Sequence, residues 1–504
     1  MRICLNDKIM QLSVILAFMT AIFVGESLCT EKIDPSLEWL GTMRGMRAVM
    51  LTGGSLLLSW VLMRFSCQTL LGRLQKEGNP SRRGLRLPGR LDLWLRIFVL
   101  GMFGIQLTVG GWGYFVCREI KLQRIVLMDE MALILPFIIM MYMKWYCFYP
   151  INRYIREYVV AGQLAEGLAT RPVWTRREYI SFQSRHGMFI VMIPLLLILG
   201  LRDVVYMGTD LCYGGIEQEN QWIYTVRESV VALGAGLIFL FSPLILRRIW
   251  KTRRLPEGPL RSKLEKFCGG IKLGFRDILL WDTHSAVANA AVMGLWRPIR
   301  YVLLSDNIVE NMSDEQIEAV FGHEAGHIKH HHIMFMIFYI MGACSLSYLL
   351  LEVGLRGLNE IWPERVEWLG YGEWAIGLLL ITNWILIFGW VSRRFERQAD
   401  VHGALAVSET DNEQSNPKNT KSLSQQGAYI MGTTLQRIAL LNGISMETRS
   451  WRHSSIHARR EFLRWLLLEE GRPDKFRRQV WIIKVLILLG VISGVVGWGL
   501  VIGK

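Results

Sequence analysis

The sequence predicts a mostly α, polytopic helical membrane protein that carries a small α+β domain outside the membrane. Two observations predict this. Of the 504 residues 51% are hydrophobic, with a mean hydropathy of +0.27. That apolar content is gathered into long runs separated by strongly charged stretches. A run of about 20 apolar residues spans a bilayer as a helix, because every backbone polar group is then paired within the segment. By that criterion about nine spans are expected, near 9–25, 47–63, 97–117, 125–149, 187–208, 224–246, 333–353, 372–392 and 480–501. The polar stretches 248–332 and 393–478 suffice for one modest folded domain.

In chain order, Arg2 and Lys8 precede the first run and Glu26 to Cys29 follow it, with no small-x-small cleavage site, so it reads as a retained anchor rather than a signal peptide. The net charge is +14. The basic residues sit in alternate loops, which the positive-inside rule requires, so membrane lipid and not nucleic acid is the expected partner. Arg64, Arg73, Lys76, Arg82, Arg83, Arg86, Arg90 and Arg96 follow span two, Arg247 to Arg254 follow span six, Arg393 and Arg394 follow span eight, and Arg477 and Arg478 precede span nine. The loop Arg118 to Arg124 breaks the pattern. Both large polar segments are therefore expected on the cytoplasmic side. Eight cysteines are scattered singly with no CxxC pair, which supports neither a cysteine metal site nor a disulfide framework, although Cys29 and Cys212 fall on the outer side and could bridge. Of the ionisable groups within the runs, Arg202 and Asp203 are expected to snorkel from a span end, Lys484 to snorkel to the interface, and Asp129 and Glu130 to lie near an outer end.

The chain divides into a membrane region of unassigned role over 1–186, membrane helices five and six over 187–254, a core over 255–478 that includes spans seven and eight, and a C-terminal span over 479–504. Residues 64–96 read as a basic connector, and 150–186 as a polar, partly helical loop. Within the core, Leu260 to Phe267 has helical spacing. Gly274 to Trp281, Asn289 to Met293 and Ile299 to Ser305 read as strands of a small sheet, with Gly294 and Pro298 between the last two. Ser313 and Gln316 form a capping box that opens the next helix. Residues 408–426 lack apolar side chains for most of their length and read as a disordered insert.

That capped helix carries His323-Glu324-Ala325-Gly326-His327, an H-E-x-x-H motif. Residues four apart share a helical face, so both imidazoles can reach one ion. Zinc takes neutral imidazole nitrogen and keeps a position open for water in catalytic sites, and Glu324 can accept that water's proton. His330, His331 and His332 read as an interfacial polar cap on the following span, with an auxiliary ligand role as the alternative. A third ligand is required. Glu396 and Asp400 lie four apart in Arg393 to Asp400, so one carboxylate could bind zinc while the other orients a ligand imidazole, or both could belong to an ordinary charged helix exit.

The sequence resembles the integral-membrane zinc endopeptidases that include the type I CAAX prenyl proteases and the HtpX heat-shock proteases. The resemblance covers about 255–465 and rests on four blocks: Ser285 to Gly294, His323 to His327, Ser392 to Asp400 and Trp451 to Arg459. It implies a gluzincin with a zincin-like fold and one zinc ion per chain. His323, His327 and Glu396 would bind the metal, Glu324 would be the catalytic base, and Asp400 would support a zinc histidine. Asn289 and Ala290 would lie on an edge strand that pairs with an extended peptide substrate. His453 and Arg459 would line the site and stabilise the oxyanion. Ser454 departs from the proline usual in the fourth block. So does the span count, which exceeds that of most members.

The resulting expectation is a zinc-dependent membrane endopeptidase acting on membrane or misfolded proteins, set in a bacterial inner (plasma) membrane with its site facing the cytoplasm. The rivals are a CAAX-type processing protease, a membrane sensor or transducer with a zincin domain, and, on span count alone, a transporter. The sequence does not indicate an oligomeric state.

Overall fold

The computed structural model describes residues 11–22, 44–77, 87–122, 125–213, 221–270, 274–361, 379–380, 382–412, 423–448, 452–469 and 471–502. Cys29, residues 413–422 of the expected insert and part of the expected 372–392 span lie outside them.

Among the described residues six helices are long and apolar enough to cross a membrane: Gly45–Lys76, Met128–Ala165, Arg176–Cys212, Trp222–Ile249, His332–Gly354 and Arg472–Gly497. The pair Leu87–Leu107 and Trp112–Ile120, bent by 55°, would make a seventh. This count covers the described residues alone, and parts of the expected 9–25 and 372–392 spans lie outside them. Of the first apolar run, the described residues form the helix Gln11–Ile22. The third breaks at Gly110 and Gly111. A Cβ on Gly110 would meet the Gln106 carbonyl at 2.8 Å, and Gly111 takes a left-handed φ of 74°, which glycine adopts without steric cost.

The chain forms two compact units. The first holds residues up to Arg254 together with Leu279–Val287 and Trp296–Tyr301. Its elements are α1 (Gln11–Ile22), α2 (Arg44–Glu77), α3 (Leu87–Leu107), α4 (Trp112–Ile120), α5 (Met128–Ala165), α6 (Arg176–Gln183), α7 (Ile190–Tyr213), α8 (Gln221–Ile249) and the short strand β1 (Thr252–Arg254). The helices outrun the membrane. α2 extends through much of the expected 64–96 connector, and α5 and α6 take up most of the expected 150–186 loop. Thr175 and Glu178 close a capping box on α6. In the bundle, Asp92 is buried with Arg96 Nε at 2.8 Å on one oxygen and Lys144 Nζ at 2.6 Å on the other.

The second unit holds Leu255–Ile278, Ala288–Leu295 and Val302–Lys504. In it lie α9 (Pro259–Gly270), α10 (Asp306–Asn311), α11 (Asp314–Lys329), α12 (His332–Ile361), α13 (Gly389–Asn412), α14 (Gln425–Leu441), α15 (Ile456–Leu467) and α16 (Arg472–Ile502). Strands β2 (Asp277–Trp281), β3 (Ala290–Met293) and β4 (Tyr301–Ser305) join β1 in a sheet of order β1-β2-β4-β3. β1 pairs antiparallel with β2, Thr252 opposite Trp281 and Arg254 opposite Leu279. The expected strands are all present; β1, three residues long, was not legible. β3 ends the sheet and is therefore an edge strand.

Two packing features place the site. The first is the close approach of α11 and α13 through glycines. A Cβ on Gly403 would lie 2.8 Å from the Ala319 carbonyl and 3.0 Å from the His323 nitrogen, and a Cβ on Gly326 would lie 2.9 Å from that of His402. Behind this contact Ala319, Ala404, Val407, Met431, Leu435 and Leu463 form a buried cluster, each larger side chain contributing about 1.5–3 kcal/mol of apolar burial. The second is the pairing of α12 with α16 through Gly342 and Gly494. A Cβ on Gly494 would meet that of Ser345 at 2.7 Å, the small-residue packing that brings helices together where no water drives them.

Candidate metal centre

α11 begins at the Ser313–Gln316 capping box and presents His323 and His327 one turn apart on the face that meets α13. α13 returns Glu396 and Asp400 on its matching face. The result is a convergence of three donors: single ligand atoms of His323, His327 and Glu396 all lie within 4.8 Å of one another. The two Nε2 atoms are 3.3 Å apart, and the Glu396 carboxylate oxygens lie 3.8 Å from that of His323 and 3.9 Å from that of His327.

The second nitrogen of each ring fixes its tautomer. His323 Nδ1 is 3.0 Å from Asp400 Oδ1, at a bent angle, and a carboxylate can only accept, so Nδ1 carries the proton. For His327 the chain of partners is longer. His332 Nε2 lies 2.9 Å from Gln398 Oε1 and donates to it, which leaves His332 Nδ1 as an acceptor, 2.9 Å from His327 Nδ1. His327 Nδ1 is then the donor, and its Nε2 bears a lone pair. His332 is fully buried and stacked on Phe395 at 4.5 Å. It is held as a support for His327 rather than as the interfacial cap expected from sequence. The chain can turn there because His331 takes a left-handed φ of 54° between α11 and α12.

The fit to a metal follows from this donor chemistry. Two imidazole lone pairs and a carboxylate face one another, all acceptors, with no proton among them to share. Two histidines and one glutamate are a set that zinc takes in catalytic sites, and tetrahedral bonds of about 2.0–2.1 Å place two nitrogens about 3.3 Å apart. The residues present fit the ion.

The electrostatics differ between the two rings. Burial pulls the His323 imidazole down, but the Asp400 hydrogen bond and charge outweigh it and its pKa is raised. Burial and the neighbouring His323 push His327 down to about 3, so it is neutral, the ligating form. Burial alone would raise Glu396 and Asp400, but both are lowered, Glu396 by His453 and Arg459 and Asp400 chiefly by Arg459. Glu324 is pushed up to about 7 by burial, with His323 opposing the shift, Glu396 adding to it, and the Val292 backbone N–H donating to its carboxylate. A carboxyl poised there can both take and return a proton near neutrality.

Of the remaining expected site residues, Arg459 uses its guanidinium fork on Asp400, with Nε 2.8 Å from Oδ2 and a second short contact from Nη2 to Oδ1. Nη2 lies 4.0 Å from Glu396. His453 Nδ1 lies 2.8 Å from Glu396 Oε2. Asn289 sits at the entrance to β3, paired through its backbone with Ser305, and Ala290 is the first residue of β3. Lys484, expected at the interface, donates to the carbonyl of His330 at 2.6 Å, at the C-terminal end of α11. Of the ionisable residues picked out in the apolar runs of the first unit, Arg202, Glu130 and Asp203 are mutually engaged. Arg202 lies 2.6 Å from Glu130 and 3.0 Å from Asp203, and the Leu127 N–H donates to Asp203. Asp129, Glu130 and Asp203 form a second carboxylate group, but there an arginine already stands against it.

Residues 255–444, which hold α11 and α13 in full, match the description of Peptidase family M48. The match is confined to this segment of the chain. The chain is similar to a CAAX prenyl protease 1 homolog of Oryza sativa subsp. japonica, 29% identical over 181 residues, which are 34% of this chain and 41% of that protein. It is also similar to a protease HtpX of Xylella fastidiosa, 27% identical over 187 residues, 34% of this chain and 62% of that protein. The chain thus spans about two fifths of the rice relative's length and about three fifths of the HtpX relative's. A crystal structure of S. mikatae Ste24p is alike over 82% of this chain and 98% of that one, at 12% identity and a TM-score of 0.42, too slight a likeness to argue from.

Proposed function

We propose that the protein is a zinc-dependent membrane endopeptidase. The observation that carries the reading is the convergence of three metal-competent side chains beside a buried carboxyl held near neutral pKa. His323, His327 and Glu396 would hold one zinc ion. Zinc there supplies Lewis-acid polarisation of the scissile carbonyl and an acidified water. Glu324 takes the attacking water's proton and returns it to the leaving amine. Asp400 and His332 hold the two imidazoles in the tautomers that leave Nε2 free, and Arg459 holds Asp400 ionised. The substrate would bind as an extended strand along the β3 edge, where Asn289 and Ala290 lie, since an open strand edge offers unpaired backbone groups to a peptide. His453 would contribute charge to the developing oxyanion. The setting is a bacterial inner membrane with the site on the cytoplasmic side, from the charge bias of the loops, and membrane or misfolded proteins are the substrates. The relatives named for CAAX processing match about a third of this chain, and no residue here reports a prenyl group.

The test is Glu324→Gln in the full chain. Cleavage of casein or of a membrane substrate should fall by about 10²–10⁴-fold, the contribution of a positioned general base, while metal analysis still finds one zinc per chain. Undiminished cleavage by the variant would overturn the mechanism.

A further inference from the structure

We infer that a cavity in the first unit binds a phosphate-bearing anionic headgroup, supplied by membrane lipid. The cavity measures about 200 Å³, space for several waters or one phosphate group. Trp174, Phe182 and His186 form its aromatic wall, with Trp174 and Phe182 ring centroids 4.7 Å apart and Phe182 stacked on His186 at 3.9 Å. His186 is part of the wall and not a charge. One ring nitrogen faces the Phe182 carbonyl at 2.9 Å, and the other accepts from Trp281 Nε1 at 2.9 Å. Around this wall stand three cations: Arg177, Arg185 and Lys251.

Among the described residues no ion pair holds these cations, although the Lys251 charge acts on the Glu178 carboxylate. Two acids also line the cavity, but both are already engaged. Glu178 accepts from the Thr175 N–H at 2.8 Å and hydroxyl at 2.9 Å as the α6 capping box. Asp282 faces Arg171 at 3.4 Å and the His284 N–H at 3.3 Å. Among the described residues Arg177, Arg185 and Lys251 form no ion pair. Arg177 and Arg185 are eight residues apart along a helical path, just over two turns, so they address one side. Three unpaired cations around an aromatic-walled cavity are a receptor for an anion, and guanidinium and ammonium groups together suit phosphate oxygens.

The position selects the source. The span Arg176–Cys212 begins at this cavity and the span Trp222–Ile249 ends beside it. The cavity therefore lies at the end of two membrane helices, the depth at which lipid phosphates sit, and basic pockets between spans recognise such headgroups.

The experiment uses the full chain purified in mild detergent and compares lipid retained in native mass spectrometry after exchange against phosphatidylglycerol or phosphatidylcholine. Wild type should retain phosphatidylglycerol in preference. The triple variant R177Q/R185Q/K251Q should lose that preference by roughly a hundredfold, about fivefold for each cation. A control with the same change of net charge elsewhere, R64Q/R73Q/K76Q, should keep it, which separates a site from general attraction. Single K251Q, at an exposed position, guards against misfolding of the triple and should lose about fivefold by itself. Thermal stabilisation by glycerol phosphate without lipid retention would assign the cavity to a soluble phosphate compound instead. Equal phosphatidylglycerol preference in wild type and the triple variant, or equal loss in the control, would overturn the proposal.

Discussion

Each unit of this protein buries a charge cluster, and the two are built on opposite principles. In the first unit Asp92 has one cation on each oxygen, Lys144 at 2.6 Å and Arg96 at 2.8 Å. That carboxylate is saturated and the cluster is closed. In the second unit His323, His327 and Glu396 turn lone pairs toward a common point, while the protons of both rings are tied behind them by Asp400 and His332. That cluster is open toward a cation and closed everywhere else. Burial alone therefore does not mark a functional site. The mark is a set of like-polarity atoms whose partners all lie on the far side.

The contrast can be broken in order of expected effect. Asp92→Ala leaves Arg96 and Lys144 buried without a counter-charge and should cost about 3–5 kcal/mol of stability, read by denaturant unfolding in mixed micelles, while zinc content is unchanged. A variant as stable as wild type would mean the cluster is not closed as described. His332→Phe preserves the stack on Phe395 but removes the acceptor that fixes His327, and should weaken zinc about 10–100-fold in a chelator competition, with little change in unfolding. Gly403→Ala drives a methyl against the Ala319 carbonyl and the His323 nitrogen and should cost about 1–3 kcal/mol, lowering stability and zinc affinity together because it separates α11 from α13.

The smallest effect is in pH. Burial, with Lys329 and His323 nearby, holds the His402 imidazole below its ordinary value, against its hydrogen bond to the Gly322 carbonyl. His330 also packs against it. Folding therefore favours the neutral ring. Its stabilising contribution is complete above the unfolded pKa of about 6.5 and is lost as pH falls below that toward the folded value. Unfolding at pH 7.5 and 5.5 should show wild type losing more stability than His402→Asn, and identical losses would remove His402 from the account.

Much of the second unit was legible in the sequence because its signals are local. The H-E-x-x-H spacing, the capping box at Ser313 and the four-residue step from Glu396 to Asp400 each fit within a few helical turns, and three strands announced themselves by short apolar runs between glycine and proline. What the sequence hid is what depends on distant partners. His332 and Gln398 are 66 residues apart, and nothing around His330 to His332 shows that one ring is fully buried. The ion pair of Arg202 with Glu130 crosses 72 residues. Hydropathy likewise registers an apolar run but not the break at Gly110 and Gly111.

Lys484 gives the second unit a mechanical property. Its ammonium reaches from the final apolar helix to the His330 carbonyl that terminates α11, clasping a membrane rod to the end of the rod that bears both imidazoles. Tilting or sliding the outer rod would load that hydrogen bond and, through it, the end of α11.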